Sequence, residues 1–552
     1  MNNKKQIYFH EGQQEFMAVA ANINVLIAPR GWGKSAGVDA PFLVRDVFAM
    51  PGSVGAILSP TYLKLLTNTL PPVISTLKRL GYYRDIHYVI GKKAPKRLGF
   101  AMPHTEPEVW DHTIHWYNGS IQQMLSFDRN MSANSMSLDY FVGFEARYLD
   151  RQKIKEEVTP ANRGNRHLFG DCPWHHGYLL TSDMPTNQQG SWLFEYENMP
   201  LRLSKEFIQK FGNITTSQLI DIIKITYAEL YELKKKPDTI HYQRQIKELS
   251  NILTVLRSNA VLYKEADPFD NLAVLGEKFF RDMRRDLPPL IFRTSVLNKR
   301  ANKVDNGFYS SLNEKIHIYV ANDNSFLDKT DYNFDKLSEQ DCRKDGDIDK
   351  EQPLAIALDY NAAINNLVCG QVNQRNMPTL KSFYVKTPQK IEDLVINFCK
   401  YYRHLPLHEI VYYYDHTAVW KTPLDNISLA EAVIQAFERM GWSVNPVYIG
   451  QAIRHDLKYL YINKALRGDT DFLFPTFNRD NNEYLLLAMN LTGVKQGRNG
   501  FEKDKSMEKE EDTADYPDQQ KTHVTDAWDT LFIGLNKHPY TTTSLPLTTV
   551  WN

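Results

Sequence analysis

Cysteine is scarce in this chain of 552 residues: Cys172, Cys342, Cys369 and Cys399 are all it has, and none stands in a C-x-x-C spacing. That excludes a disulfide-built scaffold and a thiolate zinc site, and it suits a reducing compartment. Net charge is missing as well, because 65 basic residues are matched by 65 acidic ones. Any nucleic-acid contact must then come from local patches, not from the field of the whole protein. No run of 18 apolar residues occurs, and the opening MNNKKQIYFHEGQQEF lacks a signal-peptide core. Neither a membrane span nor export is expected. No internal repeat is visible.

What is present is an ordinary globular composition, 42% hydrophobic and 24% charged. At this length a single core is too few, so two or more domains are expected. Residues 1–203 alternate short apolar runs with amphipathic stretches, the pattern of an α/β sheet. NVLIAP (24–29), VGAILS (54–59), DYFVGF (139–144) and GYLLTS (177–182) read as buried parallel strands. Between 204 and 300 the texture turns helical. SQLIDIIKITYAELYELKKK and HYQRQIKELSNILTVLRS, separated by PDT, predict a helical hairpin in a lid or insertion. Residues 301–350 are polar and read as a linker. A second β-rich pattern fills 351–540: LAIALD, EIVYYYD, VNPVYI and a hairpin-like segment near 490–505 precede the helical TDAWDTLFIGL. Residues 541–552 read as an extended tail. The stretch 78–97, with seven Lys/Arg against one Asp, is either a basic patch or a solvated face.

The strand NVLIA runs into Ala28-Pro29-Arg30-Gly31-Trp32-Gly33-Lys34-Ser35 and then into a helix-forming stretch. Strand, glycine loop and helix in that order make a phosphate-binding loop, in which backbone N–H groups and a helix N-terminus surround the phosphates. Lys34 would reach the β/γ-phosphates and Ser35 would ligate Mg²⁺, while Gly31 and Gly33 permit close backbone approach. Ala28 stands where the motif has its first glycine, at the end of the strand. Gln13 could hydrogen-bond the adenine edge, or be a plain surface glutamine. SLDYFVGFEARYLD ends a strand in Phe144-Glu145, where Asp-Glu is usual. Glu145 is suited to polarising an attacking water. Asp139, five residues upstream, is too far along the strand to stand in for the missing acid.

A second set of acids lies in the C-terminal half. Asp359 and Asp415 each end an apolar run, and THVTDAWD sets His523, Asp526 and Asp529 at three-residue steps on one helical face. Each alone reads as a helix cap or a strand-end surface residue. Together, two strand-end acids and one helical acid are the donor set of a two-metal phosphodiester-cleaving site, which prefers Mg²⁺ or Mn²⁺. Asp529 falls behind that set. The hairpin VKQGRNGFEKDK (494–505) is basic enough to contact a DNA backbone.

HEGQ, APRGWGKS, LSPTY (58–62), FEA (144–146) and LLTSDMPT (179–186), taken in order and followed by the acids and the His-x-x-Asp, resemble the motifs of the large terminase subunit of tailed double-stranded DNA phages. The resemblance covers most of the chain. It implies a P-loop ATPase sheet with a helical lid, followed by a ribonuclease-H-like α/β nuclease domain. Gln13 then contacts adenine, Arg30 is the loop arginine, and Glu145 is the catalytic carboxylate. Thr181 and Ser182 fall in the coupling motif, and Arg129 becomes a candidate arginine donated to a neighbouring subunit. Asp359, Asp415 and Asp526 hold the nuclease metals with His523 beside them. The implied cofactors are ATP with Mg²⁺ and two Mg²⁺ or Mn²⁺. The implied partners are double-stranded DNA, the procapsid portal, a small terminase subunit and further copies in a ring, a pentamer on the portal. The implied place is the host cytoplasm, transiently docked on the portal. Two other readings stand beside it: a helicase- or repair-type ATPase–nuclease, and a hydrolysis-deficient P-loop module that binds DNA or the portal. The first lacks the second ATPase core such enzymes carry.

Overall fold

The computed structural model describes residues 7–128, 136–185, 190–201, 203–287, 292–300, 307–330, 332–333, 337, 339–361, 363–419, 427–497, 500–505 and 522–540. Arg129 and the tail from 541 onward lie outside them. The chain forms two units. The first is Met1–Met283 with Leu290–Ala301 and Leu327–Ser338, and the second is Arg284–Pro289, Asn302–Phe326 and Glu339–Asn552. The stretch expected to be a linker, 301–350, is thus divided between them.

The first unit is built on eight strands: β1 (Ile23–Ile27), β2 (Val54–Ser59), β3 (Tyr88–Ile90), β4 (Thr113–Trp116), β5 (Ile121–Ser126), β6 (Tyr140–Gly143), β7 (Tyr178–Ser182) and β8 (Val261–Glu265). They lie in the order β3-β4-β5-β2-β6-β7-β1-β8. From β5 to β8 all neighbours are parallel, whereas β3 and β4 add an antiparallel edge. The four runs read as buried strands are β1, β2, β6 and β7. Their apolar side chains fill one core with Leu138, Leu149 and Leu193. The helices Thr216–Leu233 and Ile240–Ser258 form the expected hairpin; each starts on a threonine whose hydroxyl accepts from the first turn, a cap of about 1 kcal/mol. The segment 204–300 is not helical throughout, because β8 returns from the hairpin to pair with β1 residue for residue.

The second unit has a sheet of seven strands in the order β14-β13-β10-β11-β12-β15-β9. These are β9 (Ile318–Tyr319), β10 (Leu354–Tyr360), β11 (Ile364–Gly370), β12 (Asn376–Lys386), β13 (Glu409–Tyr414), β14 (Ser443–Tyr448) and β15 (Phe474–Asn478). β10, β11 and β12 form an antiparallel meander, and β13 and β14 extend it in parallel with β10. β10 is buried on both faces. Leu354, Ile356 and Leu358 pack with Leu394, Phe398 and Phe437, and Ala355 and Ala357 pack with Trp528 and Leu531 of the helix His523–Lys537. Small residues on that second face let the helix approach the sheet. A two-stranded hairpin, β16 (Val494–Gly497) and β17 (Gly500–Lys503), stands apart from this sheet.

Candidate functional site

In the first unit β1 lies between β7 and β8, and the chain leaves its end through residues 28–34 into a continuous helix. Gly31 and Gly33 have φ of 83° and 87°, a region that side chains with a Cβ resist. The first helical turn, Ser35–Asp39, is wound as a π-helix, with the Ala40 N–H donating to the Ser35 carbonyl, a local widening often found at functional sites. Gln13 sits beneath the loop, 5% exposed. Its carboxamide donates to the carbonyls of Trp32 (3.2 Å) and Gly33 (3.1 Å). It packs so tightly on Gly37 that a Cβ there would lie 2.2 Å from it. In this arrangement Gln13 is occupied in supporting the loop. Asn271 donates to the Gly31 carbonyl at 2.7 Å, and Asp270 accepts from the Trp32 indole at 2.8 Å.

Three cations converge on one acid at the end of β7. Asp183, inside LLTSDMPT, has no sequence feature that marks it out, and it accepts from Lys34 Nζ at 2.5 Å. Arg30 and Arg147 each lie 3.6 Å from it. Burial alone would raise its carboxyl, but Lys34, Arg147 and Arg30 outweigh that and hold it down at about 2. Lys34 also donates to the Ala28 carbonyl at 2.7 Å. The loop lysine is thus held on a buried acid at the end of β7.

Glu145, just past β6, takes a left-handed backbone with φ 49°, a strained conformation for a glutamate. Its carboxylate is 3.9 Å from Arg147, whose own N–H donates to Ser182 Oγ at 3.0 Å. Phe144 is 3% exposed and belongs to the core. Asp139 is committed at the far end of β6, accepting from the Val54 N–H (2.8 Å) and Asn165 (3.0 Å). One acid that the sequence did not reveal is Asp39, one turn beyond Ser35. It is 4% exposed, and its Oδ1 has no hydrogen-bond partner. Burial pushes its carboxyl up to about 6, with Thr181, Lys34 and Ser35 pulling it down and Glu145 adding to the rise.

In the second unit the two strand-end acids lie at the ends of neighbouring strands. β10 and β13 pair in parallel up to Ala357 opposite Tyr413, and Asp359 and Asp415 each follow that last pair by two residues. By the two-residue period of a strand, Asp359 shares the face of Ala355 and Ala357, and Asp415 that of Val411 and Tyr413. Both are the face covered by the helix His523–Lys537. His523 Nδ1 lies 3.1 Å from Asp359 Oδ2, and its Nε2 lies 3.3 Å from the Asn361 amide. Burial and the Asp526 charge raise the Asp359 carboxyl against the pull of His523. Asp415 accepts from the Thr417 N–H at 2.9 Å and hydroxyl at 2.6 Å.

Asp526 is not free to join them as it stands. Lys503 Nζ donates to it at 2.7 Å, and Lys505 pairs with its other oxygen. Burial would raise its carboxyl; Lys503, Lys505 and Lys458 together hold it well below the usual carboxylate range. Lys503 reaches Asp529 as well, at 2.7 Å, and Asp529 accepts from the Tyr309 hydroxyl at 2.7 Å. Asp529 is fully buried and serves this ion pair. Lys503 itself is 1% exposed. Of the hairpin expected to contact DNA, Lys503 points inward and is taken up by these acids. Among the described residues no three His, Cys, Asp or Glu side chains gather within reach of one metal ion. The expected acid cluster appears as a His523–Asp359 pair and an Asp526–lysine pair. His455, missed from the sequence, is half-buried near Asp526, with its buried Nδ1 unpartnered.

No protein-family model and no curated protein matches the chain. Solved large terminases do, in shape. One from a thermophilic bacteriophage, in complex with ATP-γ-S, is 10% identical with a TM-score of 0.34, over 95% of this chain and 98% of that one. The ATPase domain of a Thermus phage large terminase is 17% identical with a TM-score of 0.29, over 52% of this chain and 92% of that one. The large-terminase nuclease domain of bacteriophage SPP1, with bound Mn, is 9% identical with a TM-score of 0.20, over 33% and 86%. At such values the likeness carries no residue roles across.

Both donor sets suit hard divalent cations. Ser35 offers a hydroxyl near the buried carboxylate of Asp39, and Asp359 and Asp415 offer carboxylate oxygens at the ends of neighbouring strands. Asp526 fits only after its lysines let go.

Proposed function

We propose that this chain is the ATPase–nuclease of a phage DNA-packaging motor, a large terminase subunit that drives double-stranded DNA into a procapsid and cuts the concatemer. The observation that carries the reading is the loop after β1: two left-handed glycines, a helix opening at Ser35, and Lys34 held on Asp183. A triphosphate offers Lys34 a stronger anion than Asp183 does, and Arg30 and Arg147 stand within reach of the same charge. Ser35 would hold Mg²⁺, which neutralises phosphate charge as it moves between oxygens. Glu145 would orient and polarise the attacking water. Its ion pair with Arg147, whose backbone N–H donates to Ser182, would link that event to β7, the segment assigned to coupling. Gln13 holds the loop and, in this reading, lies near the adenine.

In the second unit Asp359, Asp415 and Asp526 would hold two Mg²⁺ or Mn²⁺, with release of Asp526 from Lys503 and Lys505 as the condition. The ions would activate water and stabilise the leaving oxygen. His523, fixed by Asp359, would carry the proton. The same reading supplies a ring of five copies on the portal, a small-subunit partner, and a host-cytoplasmic site of action with transient docking on the procapsid. A hydrolysis-deficient P-loop module is the second reading, favoured by the burial of Phe144 where an acid is usual. ATP turnover with and without DNA, beside Mn²⁺-dependent plasmid nicking, separates the two. Turnover and nicking both present support the motor; no turnover under any condition supports the second reading.

A further inference from the structure

Position 144 lacks the acid that a P-loop ATPase places near its cation, and the side chain found there is sealed in the core. Another acid lies on the other side of the same site. Asp39 follows Ser35 by four residues in the same π-helical turn, with its carboxylate close enough to Ser35 and Thr181 to feel both hydroxyls. Lys34 and Glu145 are its other charged neighbours. Asp39 is 4% exposed, Thr181 is 2% exposed, and the Oδ1 atom of Asp39 has no partner. A buried carboxylate oxygen left unbonded costs stability, and residues that do so persist where a ligand uses them.

We propose that Asp39 takes the place of the acid missing at position 144 and secures the Mg²⁺ that Ser35 holds. It is a positioning residue: it acts through Ser35 and the cation, not on the nucleotide. The inference rests on the nucleotide-site reading above and adds the residue that makes the site work without its usual acid.

The test is nucleotide binding, measured with a fluorescent ATP analogue on the full chain across a Mg²⁺ titration. Asp39→Asn keeps the shape and removes the charge. The Mg²⁺ concentration needed for half-maximal tightening should rise roughly 10–100-fold, as for other groups that support metal ligands. Binding without metal should hold or strengthen, since a negative charge near the phosphates is gone. The melting temperature without nucleotide should hold or rise, because a charge that burial disfavours is removed; a purely structural aspartate would lower it. Asp39→Ala serves as the second variant and should give the same Mg²⁺ response. An unchanged Mg²⁺ profile in a folded variant overturns the inference. Lys34→Ala, run alongside, separates the failures: if it too leaves binding intact, the nucleotide site itself is wrong.

Discussion

Replacing Asp183 with Asn should weaken the protein and strengthen its hold on nucleotide at once. Asp183 is buried and carries three cations, Lys34 at 2.5 Å and two arginines at 3.6 Å. Held at about 2 against an ordinary 3.8, its carboxylate contributes about 2.5 kcal/mol at neutral pH, at roughly 1.4 kcal/mol per tenfold. Because the folded value is depressed, that contribution is complete above about pH 4 and is lost as pH falls toward 2. Asp183→Asn should therefore lower the unfolding free energy by about 2–3 kcal/mol at pH 7, with the gap to wild type closing below pH 4. A triphosphate no longer has to draw Lys34 from a charged partner. A charge-assisted hydrogen bond contributes about 1.5–3 kcal/mol, so the nucleotide Kd should fall roughly tenfold. Urea unfolding between pH 3 and 7 reads the first effect, and titration with a fluorescent ATP analogue reads the second. Unchanged stability together with weaker binding would refute the picture of Asp183 as a stand-in for phosphate.

Two further perturbations address the second unit. Lys503→Met takes from the fully buried Asp529 its nearer cation, at 2.7 Å, and leaves only Lys458 at 3.9 Å; breaking a buried pair costs about 3–5 kcal/mol, so the urea midpoint should drop sharply, and a change under 1 kcal/mol would contradict the inward placement of Lys503. Asp415→Asn should cut Mn²⁺-dependent plasmid nicking by roughly 100-fold or more, the scale of charge stabilisation a metal provides, while ATP turnover stays at the wild-type rate; full nicking would remove Asp415 from the site.

How much of this could be read in the sequence depended on whether a residue's neighbours lie close along the chain. The loop of Gly31, Gly33, Lys34 and Ser35 is contiguous, and the apolar runs of β1, β2, β6 and β7 announce buried strands, so both were legible. Strands β3 to β5 were not. β3 and β4 are short, and β5 carries polar groups satisfied from other strands, such as Gln122, which accepts from Trp116 and donates to Tyr140. β8 hid behind a helical hairpin, since only its pairing with β1 marks it as part of the sheet. Asp39 looked like any polar residue early in a helix, and burial alone sets it apart. Lys503 misled for the opposite reason: a basic hairpin reads as solvated, and the buried Asp529 that draws this lysine inward lies 26 positions away. Asp359 and Asp415 were found from their strand ends, and the pairing of β10 with β13 makes those ends neighbours. The lysines on Asp526 have no sequence signature.

The central claim is that the loop after β1 turns over ATP, in a unit whose chemistry is separate from that of the second sheet. Lys34→Ala tests it most directly, with ATP turnover in the presence of DNA and Mn²⁺-dependent nicking measured on the same preparation. The account predicts that turnover falls to background while nicking persists near the wild-type rate. ATP turnover at the wild-type rate in Lys34→Ala would contradict it.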